Sequence, residues 1–189
     1  AVPDTPETVF PNETVVVELA DGSVMLNSRT ESMPNRRVVV VSPDGATHWS
    51  APRFDEALYE PICMAGIIRL SLAADGRKNR ILFSNPHNLE RLDGKAQPGK
   101  SRDRRNLSIK LSYDEGRTWP VNKSLEPGYS AYSDLAVLPD GTALCLYERG
   151  NDALLAEKRY SSYTHLTLAR FNLEWLTDGA DTSGPQRTE

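Results

Sequence analysis

The stretch Ser112-Tyr113-Asp114-Glu115-Gly116-Arg117-Thr118-Trp119 follows the β-prone residues 106–111 and has the form Ser-x-Asp-x-Gly-x-Thr-Trp. Asp114 can accept hydrogen bonds from nearby backbone N–H groups and hold a tight turn closed. Gly116 can adopt the positive φ that most residues avoid. Trp119 supplies a large apolar surface that can fix the turn to a sheet. The stretch therefore predicts a turn at the end of a β-strand, with Asp114 bound to backbone amides and Trp119 buried.

The same stretch carries two short hydroxyl side chains, Ser112 and Thr118, which can bind the local backbone. An earlier, degraded copy reads Ser42-Pro43-Asp44-Gly45-Ala46-Thr47-His48-Trp49. Aligned position by position, Ala46 replaces the glycine and His48 replaces the threonine of the later copy. The separation of the copies exceeds one propeller blade of roughly 40–50 residues, so an insertion or an intervening strand pair is expected between them.

Composition points to a globular protein: of 189 residues, 25% are charged and 39% hydrophobic, with a net charge of −4. So small a charge indicates neither a nucleic-acid nor a membrane partner. The sequence contains no apolar run long enough for a membrane span and no signal peptide. The cellular location of the protein therefore stays open, and a secreted or extracytoplasmic location is one of the alternatives. Cys63 and Cys145 lie among apolar residues and are expected to be buried thiols. We predict no metal site and no cofactor.

Many short β-prone runs separated by turn residues, without a long helical pattern, predict an all-β sandwich or propeller. The repeated strand-and-turn unit favours a β-propeller. The predicted strands cover residues 14–19, 24–28, 37–41, 67–72, 80–84, 106–111, 135–138, 143–147 and 164–171, with a short helical turn from 174. Residues 1–11 are predicted to be an extended lead-in, 12–177 a partial propeller domain and 178–189 a polar tail. Residues 85–103 form a predicted long loop, and 151–161 are polar.

The Ser-x-Asp-x-Gly-x-Thr-Trp stretch resembles the Asp-box of sialidases and related β-propellers. Over residues 10–176 the chain resembles the C-terminal half of an exo-α-sialidase, or neuraminidase, with a six-bladed propeller. The segments that carry this resemblance are Asn12-Glu13, Leu26-Asn27-Ser28-Arg29, Ser84-Asn85-Pro86, residues 104–119, Ala131-Tyr132-Ser133-Asp134-Leu135 and Leu146-Tyr147-Glu148. In that family Asp-boxes lie on the propeller rim, so a structural role is expected for Ser112, Asp114, Gly116, Thr118 and Trp119.

The resemblance implies a catalytic pair, Tyr132 and Glu13. In the family the tyrosine of Tyr-Ser-Asp-Leu is the nucleophile, and a glutamate at the position of Glu13 is its base. A neutral phenol suits this chemistry because the anomeric carbon of sialic acid carries a carboxylate, which would repel an ionised carboxylate nucleophile. We therefore expect the Tyr132 hydroxyl within hydrogen-bond reach of Glu13.

The resemblance also implies arginines that bind the substrate carboxylate. A guanidinium offers two parallel N–H donors to a carboxylate, a geometry that lysine cannot copy. Arg29, in Asn-Ser-Arg, matches the second arginine of the family, and Arg104 or Arg105 matches the third. Strand alternation favours Arg104, because it would then share a face with Asn106.

Taken together, the resemblance implies a retaining exo-α-sialidase that releases terminal sialic acid from sialylated glycans. The sequence does not contain the family's first arginine, in a Phe/Tyr-Arg-Ile-Pro motif, or its aspartate acid/base, so activity of this chain alone is left open. The alternatives are a non-catalytic propeller fragment that binds sialylated glycans or a protein, and an enzyme of another specificity. Linkage preference and hydrolase versus trans-sialidase activity also stay open. We expect about three four-stranded sheets and association through an open propeller edge.

Overall fold

The computed structural model describes residues 5–151 and 162–182, and within these residues the chain forms ten β-strands, one short α-helix and a single 3-10 turn at Ala73–Asp75. The strands are β1 Asn12–Glu18, β2 Val24–Arg29, β3 Arg36–Ser42, β4 Arg53–Tyr59, β5 Gly66–Ser71, β6 Arg80–Pro86, β7 Arg105–Ser112, β8 Val121–Val137, β9 Ala143–Arg149 and β10 His165–Phe171. The helix α1 spans Leu173–Leu176, as predicted. No helix in this part of the chain is long and apolar enough to cross a membrane.

Parts of three predicted segments, at residues 1–4, 152–161 and 183–189, lie outside the described residues. They belong to the lead-in, the polar stretch before β10 and the tail. The boundaries predicted for the lead-in, the domain and the tail therefore stay predictions.

The strands form antiparallel sheets in the orders β1-β2-β3-β4 and β10-β9-β8-β7-β6-β5. Strand β8 belongs to two sheets, because its first part pairs with β7 and residues 130–137 pair with β9. The described residues thus form two four-stranded sheets and one three-stranded sheet, where we predicted about three four-stranded sheets.

The prediction missed two segments, β4 and the first part of β8. Both are outer strands of their sheets, where one edge is unpaired and few side chains need be apolar. The outer part of β8 contains Pro127 and Gly128, which read as turn residues in a sequence. Proline is tolerated there because an edge strand has backbone N–H groups that bind no neighbouring strand.

Two hydrophobic cores lie between successive sheets. Alternation along β6 sends Ile81 and Phe83 into the core shared with the first sheet, and Leu82 into the core shared with the third. Strand β6 is buried along its whole length, which explains its continuous apolar run. Cys63 and Cys145 are free and buried, as predicted.

The turn after β7 has the predicted Asp-box geometry. The Asp114 Oδ1 accepts the backbone N–H groups of Arg117 at 3.1 Å and Thr118 at 2.8 Å, while the Thr118 hydroxyl donates to Oδ2 at 2.7 Å. Gly116 has φ 74°. Trp119 is 8% exposed, and its indole N–H donates to Asp55 on β4 at 3.1 Å. The box therefore ties the second sheet to the outer strand of the first.

The earlier copy keeps the same chemistry in a turn that is one residue shorter. Asp44 Oδ1 accepts the backbone N–H groups of Ala46 at 2.9 Å and Thr47 at 2.7 Å, and Gly45 has φ 71°. Gly45 and Thr47 thus fill the glycine and threonine roles. Our position-by-position alignment, which assigned these roles to Ala46 and His48, was wrong because it assumed turns of equal length.

We expect Asp114→Ala to lower the free energy of unfolding by about 1–3 kcal/mol, because it leaves two backbone N–H donors and the hydroxyls of Ser112 and Thr118 without their acceptor. Denaturant titration of the purified protein measures the change. Asp114→Asn is the matched control: it retains an acceptor oxygen and should cost less than alanine. Equal stability of the alanine variant and the unmodified protein would contradict a structural role for the box.

Lys110 is a charged side chain in the core between the first two sheets. It is 1% exposed, and its Nζ lies 5.8 Å from the Phe83 ring centroid. Among the residues that the structure describes, no hydrogen-bond acceptor reaches this Nζ. Burial lowers the pKa of Lys110 to about 7, although the charge of Asp55 opposes the shift.

We expect Lys110→Met to stabilise the protein at pH 6 by a few kcal/mol, since an apolar side chain of similar length replaces a poorly solvated charge. The unfolded lysine titrates near pH 10.4, so between about pH 7 and 10 the unfolded state binds the additional proton. Stability of the unmodified protein should therefore rise over that range relative to the variant. Denaturant midpoints at pH 6 and 9 measure this, with exposed Lys95→Met as control. The same stability difference between Lys110→Met and the unmodified protein at pH 6 and at pH 9 would contradict the prediction.

Candidate active site

Three strands, β1, β5 and residues 130–137 of β8, form the neighbouring inner edges of the three sheets, with β5 in contact with both others. Their close approach depends on Gly66, the first residue of β5. A Cβ there would lie 2.8 Å from Ser84 Oγ and 3.2 Å from the Ser133 carbonyl oxygen, so a larger residue would push the strands apart. This contact lies one residue from Tyr132.

At this edge the structure brings together Tyr132, Glu13 and Arg29. The Tyr132 hydroxyl donates a hydrogen bond to Glu13 Oε1, across 119 residues of sequence. Arg29 Nη1 binds Glu13 Oε2 and lies 3.4 Å from the Tyr132 hydroxyl oxygen. The three side chains therefore form one connected polar cluster, with the contact that we expected between phenol and carboxylate.

Two β-bulges direct the phenol and the carboxylate toward each other. The register of β1 shifts between Asn12 and Val15, and Glu13 at this bulge has φ 39°. The register of β8 shifts between Ser130 and Ser133, which flank Tyr132. A bulge changes the direction of a side chain relative to simple alternation and is frequent beside active sites. Positive φ in a glutamate is an unfavourable conformation that the surrounding structure must maintain.

Arg29, the last residue of β2, has a side chain that is 15% exposed. Its Nη1 is bound to Glu13, whereas its Nε is buried and without a hydrogen-bond partner among the described residues. Arg29 thus orients Glu13 with one nitrogen and keeps its Nε donor for another acceptor.

Arg104 lies immediately before β7, with its guanidinium carbon 5.4 Å from the centroid of the Tyr132 ring. Its Nη2 donates to the carbonyl of Ile62 at 2.7 Å. Arg105 instead binds exposed Glu90 at 3.1 Å. The geometry therefore associates Arg104 with the cluster, although not for the reason that we gave: Asn106 has φ 60° and lies at a register shift, so simple alternation does not apply here.

The protonation states of the pair follow from their contact. Burial raises the pKa of Glu13, but the hydrogen bonds from Tyr132 and Arg29 outweigh it and hold that pKa below its usual range. The hydrogen bond to Glu13 and partial burial raise the pKa of the Tyr132 phenol, against the positive charges of Arg104 and Arg29. At neutral pH the cluster therefore holds a carboxylate base beside a protonated phenol.

Glu148, to which we assigned no role, also contacts the site. Its Oε2 accepts the backbone N–H of Tyr132 at 3.0 Å, so it holds the bulge that carries the phenol. Only pairing of β8 with β9 brings the two together, and sequence patterns do not report such a pairing. No group of three or more His, Cys, Asp or Glu side chains suited to a metal occurs in the described ranges.

Comparison with known proteins agrees with this architecture. The family described as "BNR repeat-like domain" matches residues 8–145. The chain belongs to the BNR repeat-like domain family. This BNR domain is 37% identical over 168 residues to a sialidase of Micromonospora viridifaciens, covering 87% of the chain and 22% of that protein. The chain therefore spans about a fifth of the length of this relative.

Solved structures show the fold. The BNR domain aligns with the Hadza microbial sialidase Hz136 at a TM-score of 0.66 and 28% identity, covering 88% of this chain and 28% of that one. It aligns with a leech intramolecular trans-sialidase, solved with 2,7-anhydro-Neu5Ac, at a TM-score of 0.69 and 24% identity, covering 95% and 26%. The predicted all-β propeller architecture and the resemblance to sialidases are thus confirmed, and the chain is part of such a propeller.

Proposed function

We propose that this BNR domain contributes the nucleophile, its base and two carboxylate-binding arginines to a retaining exo-α-sialidase. The observation that carries the proposal is the contact between the Tyr132 hydroxyl and the Glu13 carboxylate. A nucleophile with its base in hydrogen-bond reach, and the base oriented by a third group, is the arrangement of an activated nucleophile. Arg29 is that third group.

In the first step the Tyr132 oxygen attacks C2 of the sialic acid and the bond from C2 to the leaving oxygen breaks. The phenol proton passes to Glu13, which is ionised at neutral pH because its pKa is lowered. The leaving oxygen takes a proton from an acid that we do not assign in this chain. Water then attacks C2 of the tyrosyl intermediate and gives one proton to the conjugate base of that unassigned acid, while the bond from C2 to the Tyr132 oxygen breaks and the phenol regains its proton from Glu13. Two displacements retain the anomeric configuration.

The arginines are proposed to hold the substrate carboxylate beside this pair. Arg29 has the buried, unpartnered Nε described above, and Arg104 lies over the Tyr132 ring. Both positive charges would stabilise a phenolate-like oxygen at the transition state as well as the carboxylate of the sugar. This dual use explains why two arginines lie close to the same phenol.

The test is hydrolysis of a fluorogenic α-sialoside by the full gene product that contains this chain, with NMR of the first product anomer. Release of sialic acid as the α-anomer supports the proposal. Release of the β-anomer first would exclude a retaining mechanism. A fluorogenic β-galactoside serves as the control substrate. Binding of sialylated glycans without turnover would favour the non-catalytic alternative.

A further inference from the structure

Ile62 has an unusual backbone conformation beside the candidate site. Its φ is 66°, the left-handed region that β-branched residues strongly avoid. The residue is only 7% exposed and lies between β4 and β5. Such strain persists only where the surroundings enforce it, and it is concentrated at functional sites.

A fully buried ion pair holds the residue that follows Ile62. Arg37 Nη1 binds Glu60 Oε2 at 2.7 Å, and both side chains are 0% exposed. Glu60 Oε1 accepts the backbone N–H of Cys63 at 2.8 Å, and Arg37 donates to the Cys63 carbonyl at 3.1 Å. The pair thus binds both polar backbone groups of the residue after Ile62.

The segment 61–63, which we call the strap, binds the backbone and side chain of the arginine-rich turn before β7. The Ile62 carbonyl accepts from Arg104 Nη2 at 2.7 Å, and the Pro61 carbonyl accepts the backbone N–H of Arg102 at 3.2 Å. The strap therefore fixes where the guanidinium of Arg104 lies relative to Tyr132.

We propose that the strap, held by the Arg37–Glu60 pair, is a positioning element that aims Arg104 at the substrate carboxylate. In this proposal Arg37, Glu60 and Ile62 affect the substrate through the position of Arg104 and not by contact with it. A buried ion pair is a poor source of stability compared with apolar residues of similar size. Its contacts here are with the backbone of Cys63, the residue after the strained Ile62, and, through two further hydrogen bonds of Arg37, with the side chain and carbonyl of Asn27 on β2. The catalytic consequence rests on the proposed function, whereas the positioning of Arg104 does not.

The test is a double-mutant cycle in the full gene product, with an α-sialoside as substrate. Ile62→Pro forces φ to about −65° and must redirect the carbonyl. We expect about a 10²-fold fall in kcat/KM, mainly through KM, because of the misplaced guanidinium. Asparagine tolerates positive φ. On a logarithmic scale, Ile62→Asn should therefore lower kcat/KM by no more than half as much as Ile62→Pro does. In an Arg104→Ala background, Ile62→Pro should cause no further fall.

An equal fall with and without Arg104 would overturn the inference, because the strap would then act through general stability. If Ile62→Pro does not fold, Glu60→Gln takes its place in the same cycle. If the unmodified protein neither binds nor cleaves sialosides, the proposed function fails, and crystal structures of the variants decide the positioning. An unmoved Arg104 in those structures would overturn it, and a displaced Arg104 would support it.

Discussion

Tyr132→Phe is expected to abolish sialoside turnover, with kcat reduced on the order of 10³-fold or more and the fold intact. The substitution removes the proposed nucleophilic oxygen and the proton that Glu13 would accept. Glu13 keeps its partner Arg29 and is 29% exposed, so its carboxylate is not left buried and uncompensated. The loss should therefore appear in catalysis and not in stability.

Turnover of a fluorogenic α-sialoside measures the expected loss of catalysis, and the thermal unfolding midpoint measures the expected unchanged stability. Tyr59→Phe is the matched control, because it also removes a phenol hydroxyl while the Tyr59 ring keeps its stacking on His87, with centroids 4.1 Å apart. A Tyr132→Phe enzyme that keeps a tenth or more of the normal kcat would show that this phenol is not the nucleophile.

Arg29→Lys should raise KM for α-sialosides by about 10–100-fold, the equivalent of roughly 1.5–3 kcal/mol for a charge-assisted hydrogen bond. The guanidinium of Arg29 binds Glu13 through Nη1, and its Nε has no hydrogen-bond partner among the described residues. An ammonium group is a single point and cannot serve both acceptors with a planar fork. The effect on kcat should be smaller, because an ammonium group can still pair with the Glu13 carboxylate.

Affinity for free N-acetylneuraminate, measured by calorimetry, separates binding from chemistry in this variant. Arg105→Lys is the control, since Arg105 pairs with Glu90 and not with the cluster. A larger loss of affinity in Arg105→Lys than in Arg29→Lys would mean that the carboxylate site lies elsewhere and would contradict the proposed pair of arginines.

The local turns and most strands were predictable, because they depend on residues that are close in sequence. The Asp-box after β7 is one example: Asp114 reaches amides only three and four residues ahead. Even so, the alignment of the two copies was wrong at Asp44, because it did not allow for a turn that is one residue shorter. The prediction missed the outer strands β4 and the first part of β8 for a different reason. A strand at an exposed sheet edge does not need a regular pattern of apolar residues.

The sequence by itself determined the all-β class and the Asp-box turn. Through the resemblance it also identified four candidate site residues, Tyr132, Glu13, Arg29 and Arg104. Only the tertiary structure decided that they meet and how they are held. Bulges at Glu13 and Tyr132 override strand alternation, and Glu148 and the strap at Ile62 reach the site from other strands and loops. The physical reason is the separation in sequence between the interacting residues. Turn geometry depends on residues a few positions apart, whereas strand register and buried ion pairs depend on contacts that the chain makes only once it has folded.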